Sequence, residues 1–581
     1  MKINLYTRIA ACLLLFYISL YVTDSIRLVL SLPHISRILW PLNDGDDWLN
    51  LVHARNWLGG GSFYDHVIHA TNAPFGGMRT HWTSVINLLL APVFFLLPAA
   101  MAVNTKLMIS ASILPPLLGI GCFVALLRGA ARVAPTRHAF FLLAALALSA
   151  TIVQYHFFPG RVDHHPLQMF LWCLIVPLCT QHPTPHRAFW IGLLLALSLW
   201  ASVEALFFYT GICALFGMAA ILRPKLVKPL VVLCASTAFF ALLALLIEVR
   251  PQDIFSYIEY DSLSIVQVVF LFYAAALAVL LPPAFARCKS WQTRGMVSVG
   301  AVAALAACML VTFPKFLQGP LVGTDPFIYK GLFGAITDAA PFFKSSLQNI
   351  LWIITEPLLA VAVLYFFLRQ RRTWRDMSMA FLLAISCAMM FIQIRWFQYV
   401  LPVAMFVLLT RLPLLMRLCG RRHASLGAFG AIPSAIGAVI LATMMTGMTF
   451  KLAVKPRTDH NCYAETIHML QTGGITRALG EKPLVLYIEP GLAGYAEFFT
   501  PYRVIAGYYH REGVGLYDLH LIATAKTAGE ARKVLLRRHV SAMLVCRNEY
   551  KKDSWLFGPT PSWVKTEKRI SPDGPTLLRL R

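Results

Sequence analysis

The stretch Asp46-Asp47-Trp48-Leu49-Asn50-Leu51-Val52-His53-Ala54-Arg55 follows an apolar run from about Ile9 to Leu30, and its surroundings decide what kind of protein this is. Immediately before it stands Leu42-Asn43-Asp44-Gly45, so three aspartates fall within four residues where a greasy segment ends. Like charges this close repel one another unless a cation or a set of hydrogen-bond donors lies among them. The cluster therefore reads either as a metal site or as an acidic turn starting a helix, since Asp is a good N-cap. Further out, the chain passes His53, His66 and His69 and reaches Arg79-Thr80-His81-Trp82 before the next apolar run. The imidazoles of this segment read first as structural, with His81 also a candidate substrate contact.

The rest of the chain explains why acids should gather at the end of an apolar run. Of 581 residues, 58% are hydrophobic and 13% charged, and the mean hydropathy is +0.64. Too few polar side chains exist to cover a water-soluble surface. The apolar residues come in many runs of roughly 15 to 25, each able to cross a hydrocarbon core of about 30 Å as a helix. Soluble secreted, nucleic-acid-binding and disordered classes are thereby excluded. The net charge of +24 reads as Lys and Arg retained in cytoplasmic loops and not as a footprint for nucleic acid.

Charge in the loops sets the orientation. The run from Ile9 to Leu30 is too long for a signal-peptide core and has no small-x-small cleavage site, so it is expected to stay as the first span. Basic loops recur at Arg128 to Arg137, Arg223 to Lys228, Arg287 to Arg294, Arg369 to Arg375 and Arg411 to Arg422, which assigns them to the cytoplasm. The acidic segments between them, Asn43 to Asp65, Gly160 to His165, Glu248 to Asp261 and Pro314 to Phe343, belong on the other side. The alternation closes if Val85 to Pro98, with Pro92 and Pro98, is an interfacial or re-entrant helix. The expected architecture is an α-helical polytopic membrane protein of about thirteen spans over residues 1–450, with a long first external loop at 31–84 and the N-terminus inside. The run from about Leu426 to Phe450 delivers the chain outward.

From Lys451 the composition becomes that of a soluble unit, 451–581. Pro483 to Ile488 and Ala542 to Cys546 read as buried strands and Thr527 to His539 as an amphipathic helix, so a small α/β domain is expected. Ten of the twelve cysteines lie in or beside apolar runs as small core residues; Cys462 and Cys546 fall in the polar part, where they either pair or remain two thiols.

Two further outward loops carry chemistry. The segment Gly160-Arg161-Val162-Asp163-His164-His165-Pro166 offers oxygen and nitrogen donors suited to Mn²⁺ or Mg²⁺ if Asp dominates and to Zn²⁺ if both imidazoles bind. The segment Ile336-Thr337-Asp338-Ala339-Ala340-Pro341 adds another acid. Glu204, in Trp200-Ala201-Ser202-Val203-Glu204-Ala205, is an ionisable group inside apolar sequence, and such groups line cavities or find partners. In the soluble unit, Tyr508-Tyr509-His510-Arg511 could meet a sugar by stacking and hydrogen bonding.

The order of these motifs resembles the catalytic subunits of oligosaccharyltransferases and their relatives, membrane glycosyltransferases of the GT-C fold. Asp46 and Arg55 reproduce an Asp followed nine residues later by Arg; Gly160 to His165 resembles Gly-x-x-Asp-x-Asp/Glu with His165 at the second acid; Thr337-Asp338-x-x-Pro341 resembles Ser/Thr-Glu-x-x-Pro; and Arg395 with Pro402 is similar to an Arg in a late turn with Pro seven residues on. The resemblance spans the membrane part, and the Trp-Trp-Asp acceptor motif of the family is missing from this sequence. What it implies is transfer of a sugar from a polyprenyl phosphate or diphosphate donor to a glycan, lipid or protein acceptor at the outer face of a bacterial inner membrane, with inversion. It further implies a divalent cation, Mn²⁺ or Mg²⁺, on Asp46, Asp163 and Asp338 or His165, with Arg395 on the donor phosphate and Asp46 or Asp47 as general base. Arg55, Glu204, His164, His81, Tyr509 and His510 are candidate substrate contacts. The competing classes are a transporter or flippase of lipid-linked sugars and a non-catalytic binder of them; acids gathered on one face, without an internal repeat, count against transport.

Overall fold

The computed structural model describes residues 45–131, 156–325, 327–328, 341–344, 347–370, 372–422, 461–546, 554–569 and 575–581. The expected spans at Ile9 to Leu30 and Leu426 to Phe450 and the acid Asp338 lie outside these residues. The Asp-rich stretch opens helix α1, Gly45–Leu58, with Asp46 and Asp47 in its first turn and Arg55 in its last. That arrangement sets acids at the positive end of the helix dipole and a base at the negative end. A short antiparallel ribbon, β1 (Val67–Ile68) with β2 (Met78–Arg79), leads on to α2, Val85–Leu96. With 12 residues, α2 is about 18 Å long, short of the roughly 30 Å needed to cross, and its tip leaves Phe95 and Leu96 exposed. Its N-terminus is fastened by Glu248, whose carboxylate accepts the Ser84 N–H at 2.8 Å and the Trp200 indole N–H at 2.7 Å.

The helical body continues as α3 (Val103–Ala131), α4 (His165–Cys179), α5 (Pro185–Ala201), α6 (Ala205–Leu222), α7 (Val227–Glu248), α8 (Ile265–Arg287), α9 (Trp291–Thr312), α10 (Leu347–Gln370), α11 (Trp374–Ile392) and α12 (Phe397–Arg422). Among the described residues, six helices are long and apolar enough to cross a membrane. Close crossings depend on small residues. At Gly192 on α5 an added Cβ would fall 2.0 Å from the Ser236 hydroxyl and 2.9 Å from the Leu233 carbonyl oxygen of α7.

Two short breaks position the site. Between α5 and α6 the turn Ser202-Val203-Glu204 places Glu204 at the start of α6. Between α11 and α12 a single 3₁₀ turn, Ile394–Trp396, holds Arg395. Both breaks free backbone groups at a helix end, a cost tolerated where irregular chain is buried in protein or lines a cavity.

The C-terminal part forms α13 (Asn461–Gln471), α14 (Gly474–Leu479), β3 (Val485–Tyr487), α15 (Ala493–Phe499), β4 (Arg503–Val504), α16 (Gly513–Thr524), α17 (Ala528–Arg537), β5 (Val540–Val545), β6 (Val564–Arg569) and β7 (Thr576–Leu580). The sheet order is β4-β3-β5-β7-β6, parallel through the first three strands and antiparallel through the last. Both expected strands and the expected helix are present, and Thr527 with Glu530 closes a capping box on α17. Cys462 and Cys546 form a disulfide between α13 and the end of β5.

This unit docks on α1. The Trp48 ring lies 4.5 Å from Tyr495 and 5.2 Å from Phe498. Gly494 permits the approach, because a Cβ there would meet Trp48 at 2.5 Å. Arg55 donates to the Phe498 carbonyl at 2.8 Å and stands over that ring.

Candidate functional site

The loop before α4 supplies the first half of the site. Gly160, at φ +93, takes a backbone conformation that side chains resist, and its N–H donates to the Ala111 carbonyl of α3 at 2.9 Å. The turn buries Arg161, 2% exposed, between two carboxylates: Asp47 at 2.7 Å and Asp163 at 2.9 Å. The Asp163 N–H donates to Asp47 at 3.1 Å, and the Asp163 carboxylate accepts the His165 N–H at 2.9 Å, which caps α4. An aspartate of α1 and one of the loop before α4 thus meet around a guanidinium, whose charge offsets the repulsion between them.

The two helix breaks supply the second half. Arg395, its side chain 36% exposed, reaches Glu204 at 2.9 Å. The other Glu204 oxygen accepts from the Tyr399 hydroxyl at 3.3 Å and lies 4.0 Å from His164. His164 and His165 are ring neighbours at 4.1 Å, and the Gln398 amide touches Nδ1 of His165 at 2.8 Å. Tyr399 also donates to Gln168 of α4, tying α12 to the same loop.

A second group of residues comes from the segment between α1 and α2, the segment between α7 and α8, and the C-terminal unit. The His81 N–H donates to the Tyr509 hydroxyl at 2.8 Å, and the two rings stack. His510 lies 2.8 Å from Asp261, and Arg511 grips Asp261 at 2.9 Å and Glu259 at 2.8 Å. Burial raises the cost of ionising Asp261, yet hydrogen bonds from His510 and Arg511 outweigh it and hold this carboxyl far below the usual range. His81 is pushed well below the ordinary imidazole value by burial first and by His510 second, with Asp261 opposing and His164 near enough to add to the effect.

Of the expected site residues, Asp163, His164, His165, Glu204 and Arg395 come together, and His81, Tyr509 and His510 form a second group around one another. The acid that meets Asp163 is Asp47; Asp46 is half-buried in the first turn of α1. Arg55 is engaged by the carbonyl of Phe498. Sequence reasoning gave no role to Arg161, Gln398 or Tyr399. A clue existed for Arg161, a base in a loop otherwise poor in Lys and Arg, and for Gln398, a polar residue three positions beyond Arg395 at the start of α12.

The donors fit a divalent cation in part. Asp47 and Asp163, of which Asp163 was an expected ligand, already face the Arg161 guanidinium. His164, His165 and Glu204 offer three ligand atoms within 4.8 Å of one another, and both ring nitrogens of His164 are buried without a hydrogen-bond partner.

No family model matches the sequence, and no curated protein is similar to it. Solved structures are. The oligosaccharyltransferase AglB from Archaeoglobus fulgidus, in complex with an inhibitory peptide and a dolichol-phosphate, superposes with a TM-score of 0.67 at 14% identity, covering 97% of this chain and 74% of that one. The Archaeoglobus fulgidus oligosaccharyltransferase tethered to an acceptor peptide containing the NVT sequon gives 0.64 at 14% identity, over 97% and 74%. Its complex with Zn and sulfate gives 0.61 at 15% identity, over 90% and 67%. By architecture, then, this chain is similar to archaeal oligosaccharyltransferases and carries the GT-C fold.

Proposed function

We propose that the protein is a membrane glycosyltransferase that moves a sugar or oligosaccharide from a polyprenyl phosphate or diphosphate donor to an acceptor at the periplasmic face of a bacterial inner membrane. The observation that carries this reading is Arg395: a partly exposed guanidinium in a helix break, held by Glu204 from a second break and set beside the loop of Asp163, His164 and His165. Phe207 and Phe391, exposed apolar rings on α6 and α11, provide a surface for an isoprenyl tail, and Phe207 packs on Trp396 beside Arg395. The disulfide favours an oxidising compartment for the C-terminal unit.

In the reaction the bond between the anomeric carbon and the phosphate oxygen breaks, and a bond forms from the acceptor oxygen to that carbon on the opposite face. Arg395 takes the negative charge that develops on the departing phosphate. Asp46 is the carboxylate proposed to receive the acceptor's proton. The base role passes from Asp47, whose carboxylate is occupied by Arg161. A divalent cation on the imidazole and carboxylate donors beside Arg395 would neutralise phosphate oxygens; a structural neighbour was solved with zinc and sulfate. The missing Trp-Trp-Asp motif favours a glycan, lipid head group or protein hydroxyl over an Asn sequon as acceptor.

The test is a panel of radiolabelled polyprenyl-phosphate and polyprenyl-diphosphate sugars offered to the purified protein with membrane extract as acceptor source. Label should pass to an acceptor with wild type and not with Arg395→Ala. Movement of donor across vesicles without transfer would replace this reading with a flippase.

A further inference from the structure

We propose that Arg375 and Arg411 seat the phosphate of an anionic phospholipid at the end of the helical body opposite Arg395. The inference stands on the helices alone and is independent of the sugar-transfer reading.

Three segments fix the place. Helix α11 runs for 19 residues from Trp374 to the break that holds Arg395, about 28 Å and close to the roughly 30 Å of a hydrocarbon core. On α12, Arg411 follows Arg395 by about 24 Å along the axis. Both Arg375 and Arg411 therefore lie at the level of the lipid head groups in the leaflet away from Arg395. The turn between α4 and α5 closes the third side, because the Trp374 indole N–H donates to the carbonyls of Gln181 at 2.7 Å and Cys179 at 3.2 Å.

Charge is unbalanced there. Segments 179–187, 369–376 and 411–422 hold nine arginines and one acid, Asp376. That acid is buried and already engaged: it accepts from Arg411 Nε at 2.6 Å and from the Thr373 hydroxyl. Arg375 lies within electrostatic reach of both Asp376 and Arg411, but its Nε is buried with no hydrogen-bond partner. Two guanidiniums thus share one carboxylate. An excess of Lys and Arg in such loops orients a membrane protein without calling for a particular ligand, and exposed Arg372 is of that kind. Arg375 differs, since an N–H turned away from water and left without an acceptor is costly.

A phosphodiester supplies what is lacking. Its oxygens accept from the planar fork of an arginine, and its single negative charge balances the local surplus. Basic pockets between spans hold phosphate head groups in this way. The surroundings favour a lipid over free phosphate: exposed Met377 on α11 and exposed Tyr365 on α10 continue from the arginines along the apolar outer faces of their helices, where acyl chains can lie. Arg411 itself stands over the Phe367 ring of α10 at 5.3 Å, so α10, α11 and α12 all border the seat.

The test is native mass spectrometry of the delipidated full-length protein, titrated with phosphatidylglycerol, with phosphatidylcholine and with inorganic phosphate. Wild type should hold one phosphatidylglycerol per chain in preference to phosphatidylcholine, and inorganic phosphate at matched concentration should not displace it. Arg375→Gln should weaken that binding about tenfold, as expected for loss of one charged hydrogen-bonding partner. Arg372→Gln removes the same charge from an exposed position and should leave the affinity within about twofold. Among the described residues Arg375 donates no side-chain hydrogen bond, so its replacement strands no partner and the variant should stay monodisperse. Equal weakening in the two variants, equal binding of phosphatidylcholine, or displacement of the lipid by inorganic phosphate would overturn the proposal.

Discussion

Arg395 and Glu204, each in a break between two helices, meet at 2.9 Å and join the α5–α6 turn to the α11–α12 turn. The pair keeps a cation ready beside the loop that precedes α4 without leaving its charge uncompensated. A phosphate can then compete for the guanidinium.

Replacing Arg395 by Ala should lower transfer by about 10²- to 10³-fold, the usual effect of losing one preorganised donor to a developing anion. Arg395→Lys should recover part of it, since the charge returns without the planar fork. Initial rates across donor concentrations check this; equal loss in both variants would count against a charge role.

Arg161 should matter for stability. Arg161→Met takes away the guanidinium that lies between the buried Asp47 and Asp163, a change that costs about 3 to 5 kcal/mol when one member of a buried pair is removed. Thermal unfolding in detergent should register a large drop, and Asp47→Asn in the same background should restore part of it.

Much of this was legible from composition and pattern. The apolar runs announced a membrane protein, Pro92 and Pro98 allowed Val85 to Pro98 to be read as an interfacial or re-entrant helix, and strands near Val485 and Val540 followed from short apolar runs between polar residues. Arg395 entered through the family resemblance and Glu204 as a charge inside apolar sequence; their meeting beside His164 did not follow from the sequence. The choice of Asp47 over Asp46 did not either: neighbours on a helix point about 100° apart, and which one faces Asp163 depends on how α1 packs through Trp48 on Tyr495. Nor did the contact of Asp261 with His510 and Arg511, because it joins segments far apart in the chain and neither carries a local pattern.

Docking of the C-terminal unit should weaken as pH rises. Glu512 accepts from Thr71 of the first external loop, and burial raises its pKa from 4.5 to about 7, against hydrogen bonds from Thr71 and Gly507. Glu497 shifts the same way, from burial and from Glu512. Below about pH 4.5 the Glu512 carboxyl is protonated folded or unfolded and carries no penalty. Between that pH and about 7 the unfolded group ionises while the buried one resists, so stability falls by on the order of 3 kcal/mol and then levels off. Unfolding midpoints at pH 5.5 and 8 should differ in wild type and differ less in Glu512→Gln, with Glu497 supplying the remainder.

Reduction should loosen the same unit. The disulfide closes a separation of 84 residues, and cross-links of this kind contribute about 2 to 4 kcal/mol. Dithiothreitol should lower the midpoint of the C-terminal unit, and Cys462→Ser with Cys546→Ser should reproduce that loss without further response to reductant.

The most direct test is release of free polyprenyl phosphate or diphosphate from a radiolabelled lipid-linked sugar in proteoliposomes, with acceptor extract added. Release should accompany appearance of label in the acceptor for wild type and vanish with Arg395→Ala. Release that is undiminished in that variant would contradict a site built around Arg395 and Glu204.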